Sequence, residues 1–302
     1  MPRRVELPSE LAGRAFSVQE ATGLGVTRGR LDGPDLVIPF RGVRDRPAPK
    51  SLTLEQRCRQ YAMRMKPWQF FSHETGLALQ GVPTPRHPHV VRIHVAAHRP
   101  QREPRHNGVV GHRLQTREDA WHEVSGLRVE HVVRAWRQVG GSWPLDDLVA
   151  AADHIIGRTS LATIEDLRHE VLVMKGPASA RLLHALRQVQ AGSESPEESR
   201  LRLVLARAGL PEPELNWVLR DANGRHVARL DLAFRRWRVG AEYDGRHHEL
   251  DADQFARDVD READIRRQGW EKVRVLRHHL RGDGRPAVRL VREALERAGW
   301  RS

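Results

Sequence analysis

The stretch LNWVLRDANGRHVARLDLAF constrains this chain more than any other. Asn223 and Gly224 sit between two runs of largely alternating apolar and polar residues, the pattern of two strands joined by a tight turn. Beyond the turn, period two places His226, Ala228, Leu230, Leu232 and Phe234 on one face and Val227, Arg229, Asp231 and Ala233 on the other. Asp231 is therefore a carboxylate inside an otherwise apolar strand end. RRWRVGAEYDG follows as a second turn and a third strand. Val239, Ala241 and Tyr243 share one face of it; Gly240, Glu242 and Asp244 share the other. A short turn between adjacent strands brings Asp231 beside Glu242. Carboxylates held close raise one another's pKa unless a cation sits among them. Oxygen-only ligands suit a hard divalent ion, Mg²⁺ or Mn²⁺, which can polarise a phosphodiester and acidify bound water. The competing reading is a solvated hairpin whose acids pair with Arg229, Arg238 and Arg246.

The flanking segments extend the pattern. SPEESRLRLVLARAGL opens as a capping box, with Ser195 at the N-cap, Pro196 at N1 and Glu198 at N3, and Gly209 ends the helix. Glu198 thus has a structural use as well as a place near the acids. Downstream, Phe255, Val259 and Ala263 form one stripe of a helix over 253–268. Arg257 lies off that stripe, free to touch phosphate, and Asp258 and Arg261 have the spacing of a helix ion pair. EKVRVL is a further core strand. His247 and His248 follow the turn at Gly245, and an imidazole there can move a proton near neutral pH.

A chain of 302 residues exceeds one small domain. The expected organisation is α/β multidomain: a small helix-turn-helix unit over 1–48, a mixed α+β middle region over 49–192, and an α/β domain over 193–302. In the first, SVQEATGLGVTRGRL reads as helix, Gly-containing turn and second helix from Thr27, followed by the strand-like DLVIPFRGV. That order is the order of a winged helix-turn-helix, with Arg28 and Arg30 on the second helix toward a DNA groove. RDRPAPK reads as a linker. The middle region carries His87, His89, His94, His98, His106 and His112, on loops and strand positions without cysteines or compact ligand spacing, so no metal site is expected there.

The formal net charge is +12, carried almost wholly by arginine, since lysine occurs only at Lys50, Lys66, Lys175 and Lys272. Guanidinium forks match phosphate, so double-stranded DNA is a fitting partner, although a GC-rich genome also raises arginine content. Aromatics at 5% give little for stacking single-stranded RNA. Cys58 alone makes no internal disulfide, and no segment has membrane-spanning length, so the expected setting is cytoplasmic, with no membrane partner.

From Ser195 to Leu280, the pieces SPEESRLR, RLDLAF, VGAEYDGRHHE, FARDVDREADIRRQGW and EKVRVL occur in order. Together they resemble the very-short-patch-repair-type endonuclease domain of unknown function. That resemblance implies the restriction-endonuclease-like PD-(D/E)XK fold and phosphodiester hydrolysis with Mg²⁺ or Mn²⁺. It implies Asp231 and Glu242 as metal ligands and Glu198 as the completing acid. Asp244 stands where such enzymes carry a lysine; Asp cannot supply a positive charge, so either Asp244 is another ligand or base, or a different residue assists, His248 first and His247 second. FSVQEATGLGVTRGRL, FRGV and SHETGLALQGVPTP are similar to the N-terminal part of abortive-infection type IV antitoxins, which implies DNA binding. The alternative function is a non-catalytic DNA-binding regulator or antitoxin-like protein using the nuclease fold as a scaffold.

Overall fold

Helix start signals and apolar runs set the elements, and the computed structural model describes residues 5–48, 51–85, 92–157, 160–245 and 252–301. The chain divides into two compact units, Met1–Val139 and Gly140–Ser302.

The first unit opens with β1 (Phe16–Ser17), α1 (Val18–Gly23), α2 (Arg28–Leu31) and β2 (Val43–Arg44). Ser17 and Thr27 cap the two helices by accepting from Glu20 N and Arg30 N. Gly25, at φ 81°, takes the left-handed turn between them. Leu11, Phe16, Ala21, Val26, Leu31 and Leu36 form their core, and β1 pairs antiparallel with β2. A second core joins this region to the next: Ala15, Phe40 and Val43 pack with Cys58, Tyr61, Phe71 and Ile93. Tyr61 meets Phe40 edge-on at 5.0 Å. The polar run at 44–50 therefore connects parts of one packed unit, and Cys58 is a fully buried packing residue.

The rest of this unit is α3 (Leu54–Ala62), β3 (Gln69–Phe71), α4 (His73–Leu79), β4 (Ile93–His98), β5 (Val109–Leu114), β6 (His122–Val124), β7 (Leu127–Val129) and α5 (Val132–Gln138). Its five-stranded sheet runs β5-β4-β3-β7-β6. The β4–β5 and β3–β7 pairs are parallel; the other two are antiparallel.

The second unit contains α6 (Leu145–Ile156), α7 (Ile164–Val173), α8 (Ser179–Leu186), α9 (Pro196–Arg207), β8 (Glu214–Arg220), β9 (His226–Phe234), β10 (Val239–Asp244), α10 (Ala252–Arg267), β11 (Glu271–Leu276) and α11 (Arg285–Arg297). The sequence reading ends its middle region at 192; helices α6 to α8 instead belong with the C-terminal elements. A buried polar staple holds α6 there. Asp153 on α6 accepts from Ser199 Oγ at 2.7 Å, Arg202 Nη2 at 2.8 Å and Gln190 N at 2.7 Å. No run of apolar letters announces such a contact, because polar side chains form it.

The four-stranded sheet has the order β11-β10-β9-β8, with β10 and β11 parallel and the rest antiparallel. A parallel neighbour needs a crossover, and α10 supplies it. One face packs on Leu201 and Leu205 of α9 and Val291 and Leu295 of α11; the other meets Ile265 of α10 and Trp270. Asn223-Gly224 does turn the β8–β9 hairpin. Asp221 Oδ1 accepts from Asn223 N and Arg225 N, each at 2.9 Å, and Gly224 sits at φ 78°.

Strict alternation along β9 does not hold. Ala228 and Leu230 pack in the α10-side core, whereas Leu232 and Phe234 pack in the α9/α11-side core. The faces exchange at Asp231. On β8 the same exchange separates Leu215 from Trp217, at Asn216, which holds φ 49°. A left-handed residue breaks the pleat, and one broken position turns every later side chain over. The described residues thus form a mixed α/β chain with a two-, a four- and a five-stranded sheet. No described helix is long and apolar enough to cross a membrane.

Candidate active site

The exchange of faces at Asp231 opens the sheet. Residues 239–241 of β10 pair with β9, and the pairing stops there. Beyond it, Tyr243 N donates to Asp231 Oδ2 at 2.9 Å. Asp231 thus performs the work of a ladder partner while its carboxyl group faces an open cleft of about 580 Å³. Glu242, Asp244, Lys272, Arg229, Arg261 and Arg274 line the same cleft.

Asp231 is half-buried, and its pKa is pushed up to about 7. Burial is the main cause, followed by the negative charge of Glu198; Glu242 adds to it, while the Tyr243 N–H and Lys272 oppose it. Glu198 therefore lies close enough for its charge to matter. Its own anchoring departs from the expected reciprocal box. Ser195 Oγ accepts from Glu198 N at 3.1 Å, but Glu198 Oε2 accepts from Glu194 N at 2.9 Å, one residue further back. A long contact of 3.4 Å from Asn216 Nδ2 ties Glu198 to the residue where β8 breaks.

Glu242 is held by two cations. Lys272 Nζ, from β11, lies 2.5 Å from Glu242 Oε2, and Arg261, from α10, approaches Oε1 at 3.5 Å while donating to Arg229 O at 3.1 Å. Lys272 is opposite Gly240 in the parallel register, so it reaches Glu242 diagonally. Asp244 is accompanied by Arg274, Nε to Oδ2 3.7 Å. Among the described residues, no three of these carboxylates bring oxygens within 4.8 Å of one another. The expected tight trio is instead a looser arc, with Lys272 drawn into it.

The positive charge that Asp244 cannot supply is thus present, but from the neighbouring strand. Sequence reading missed both Lys272 and Arg261. A signal existed for the first: a lysine opening a core strand in a chain with four lysines. Arg261 carried none beyond helix spacing. His248 and His247 lie outside the described residues. Arg257 falls within α10, and its side chain is outside them too.

In the first unit, Arg28 is exposed at the start of α2. Arg30 is not available to a groove. Its guanidinium forks onto Asp35 at 3.1 and 2.8 Å, its Nε donates to Val5 O, and only 9% of its side chain is exposed.

No known protein family matches the chain. Two Mycobacterium tuberculosis proteins, the uncharacterized proteins MT2308 and Rv2248, are each 32% identical over 142 residues, covering 47% of this chain. The chain spans about half the length of these relatives, 51% in each case. Among solved structures, the crystal structure of the RV2827C protein from Mycobacterium tuberculosis is similar over 70% of this chain and 86% of that one, with 15% identity and a TM-score of 0.41.

Proposed function

We propose that the chain is a metal-dependent DNA endonuclease whose C-terminal unit hydrolyses phosphodiester bonds. One observation carries the reading: Asp231 on β9, Glu242 on β10 and Lys272 on β11 face one open cleft rimmed by arginines. This is the acid, acid and lysine set that the resemblance implies, with the lysine moved to the adjacent strand. The finer fold assignments, a restriction-endonuclease-like domain here and a winged helix-turn-helix in the first unit, belong to the same proposal.

The donor set fits a hard divalent ion. All its ligands would be carboxylate oxygens, and Asp231, partly buried and next to the negative charges of Glu198 and Glu242, is a carboxylate whose charge a dication would offset. Asp231, Glu242 and Glu198 would hold Mg²⁺ or Mn²⁺, which when bound supplies charge stabilisation and an acidified water. The chain's own groups do the rest. Tyr243 N fixes the Asp231 carboxyl orientation. Lys272, held by Glu242, places a nearly buried positive charge where a phosphorane would gain negative charge. Arg229, Arg261 and Arg274 form a rim suited to the flanking phosphates of duplex DNA. Arg28 of the first unit, exposed at the start of α2, would supply a further phosphate contact.

The test is cleavage of supercoiled plasmid and mismatch-bearing duplex with Mg²⁺, Mn²⁺ or EDTA, by wild type and Asp231→Asn. Nicking by wild type with either ion, absent in EDTA and in the variant, supports the assignment. DNA binding without cleavage under either ion supports the non-catalytic regulator instead.

A further inference from the structure

Outside the cleft, the first unit gathers three histidines that sequence spacing did not connect. His94 lies on β4 and His112 on the parallel neighbour β5, two positions further along in register, on the same face. His73 begins α4. His94 Nδ1 and His112 Nε2 are 3.0 Å apart, and one ring nitrogen from each of the three residues falls within 4.8 Å of the others. The His73 ring stacks on His112 with centroids 3.5 Å apart.

We propose that His73, His94 and His112 form a binding site for a divalent transition-metal ion, with Zn²⁺ the best-matched ion. Zinc bonded to imidazoles at about 2.0–2.1 Å in tetrahedral geometry sets its ligand nitrogens about 3.3 Å apart. The His94–His112 pair is already near that spacing, and rotation of the His73 ring out of its stack closes the third edge. A nitrogen-only set selects zinc, copper, nickel or cobalt over Mg²⁺, so this site differs chemically from the carboxylate cleft.

The scaffold around the three rings is built rather than incidental. Ser72 N donates to His94 O at 3.1 Å, and His94 N donates to Thr75 Oγ1 at 2.9 Å, so the start of α4 is tied to β4 on both sides of His73. His73 N donates to Gln138 Oε1 at 3.0 Å, and Gln138 Nε2 donates to the buried Glu130 at 3.0 Å. Ser72 Oγ lies 3.0 Å from His73 Nδ1, the kind of outer contact that selects the nitrogen left for a metal. His73 itself holds φ 51°, a costly conformation for a non-glycine residue, at the position that brings its ring into the cluster. Three ligands leave a fourth position for water or an incoming donor.

The experiment uses the untagged full-length chain, stripped with chelator, reloaded with Zn²⁺ or Co²⁺, gel-filtered and assayed for bound metal. One equivalent per chain is expected for wild type, with the visible spectrum of a four-coordinate site in the cobalt form. His94→Ala and His112→Gln should lose it, while Asp231→Asn and Glu242→Gln keep it. Ser72→Ala should keep the site with affinity about tenfold weaker. Circular dichroism of the metal-free forms controls for folding; His112→Gln, on a partly exposed strand position, serves if His94→Ala fails to fold. A wild-type chain that retains no zinc overturns the proposal, as does a folded His112→Gln that retains a full equivalent with the same cobalt spectrum.

Discussion

Lys272 Nζ lies 2.5 Å from Glu242 Oε2, across the parallel pair β10 and β11, with only 10% and 14% of the two side chains exposed. Two charges this far from water are costly unless each satisfies the other. The pair therefore fixes the position of the cleft lysine and orients the acid beside it.

Replacing Lys272 by Met removes that charge and leaves Glu242 facing Arg261 at 3.5 Å. Cleavage should fall by about 100-fold or more, the usual cost of losing one charge-stabilising donor. A double-mutant cycle with Glu242→Gln, read by denaturant unfolding, should give a coupling of about 1–3 kcal/mol. Additive effects would remove the pair from the account.

Asp231 is raised in the folded chain from 3.8 to about 7. A carboxyl group with a raised folded pKa contributes stability below its unfolded pKa, and that contribution is lost as pH climbs through its folded value. Metal-free wild type should therefore lose stability between about pH 4 and pH 7 through this group. Asp231→Asn lacks that loss, and its amide oxygen can still accept from Tyr243 N. Its Tm relative to wild type should rise across this window, each 1 kcal/mol being worth about 2–4 °C at this domain size. A difference that stays constant with pH would count against it.

The two arginines of α2 should separate by readout. Arg28→Ala should weaken duplex binding and lower the salt slope by about 0.9, one phosphate contact, without changing stability. Arg30→Ala breaks a nearly buried fork on Asp35 and should cost about 1–3 kcal/mol of folding stability. Salt-dependent binding isotherms and urea melts on both variants distinguish the roles.

Asp153 is fully buried and accepts three hydrogen bonds from α9 and the segment before it. Asp153→Ala leaves the Arg202 guanidinium, 8% exposed, without its carboxylate and should destabilise the chain by about 3–5 kcal/mol. Cleavage per folded molecule should be unchanged well below the new Tm. Equal loss of activity and retained stability would contradict the staple.

Much of this was legible in the residues. The start of α2 at Thr27, the helix from Pro196 and the hairpin at Gly224 followed from capping and turn chemistry, which are local. Asp231 and Glu242 were found as acids in apolar strands, and the structure places both in one cleft. Alternation does not carry through Asp231, because Asn216, fifteen positions away, breaks the pleat opposite it.

The sequence by itself determined which segments become helices and strands, where the carboxylates sit along them, and the shortage of lysine that makes Lys272 stand out. Those are properties of neighbours within a few positions, set by backbone sterics, capping and burial. Only the tertiary structure decided what meets across the fold. The parallel register brought Lys272 to Glu242 through a crossover helix, and the β4–β5 pairing set His94 beside His112 with His73 above them. Strand register depends on the packing of whole faces, and no local spacing encodes which distant residue will stand opposite.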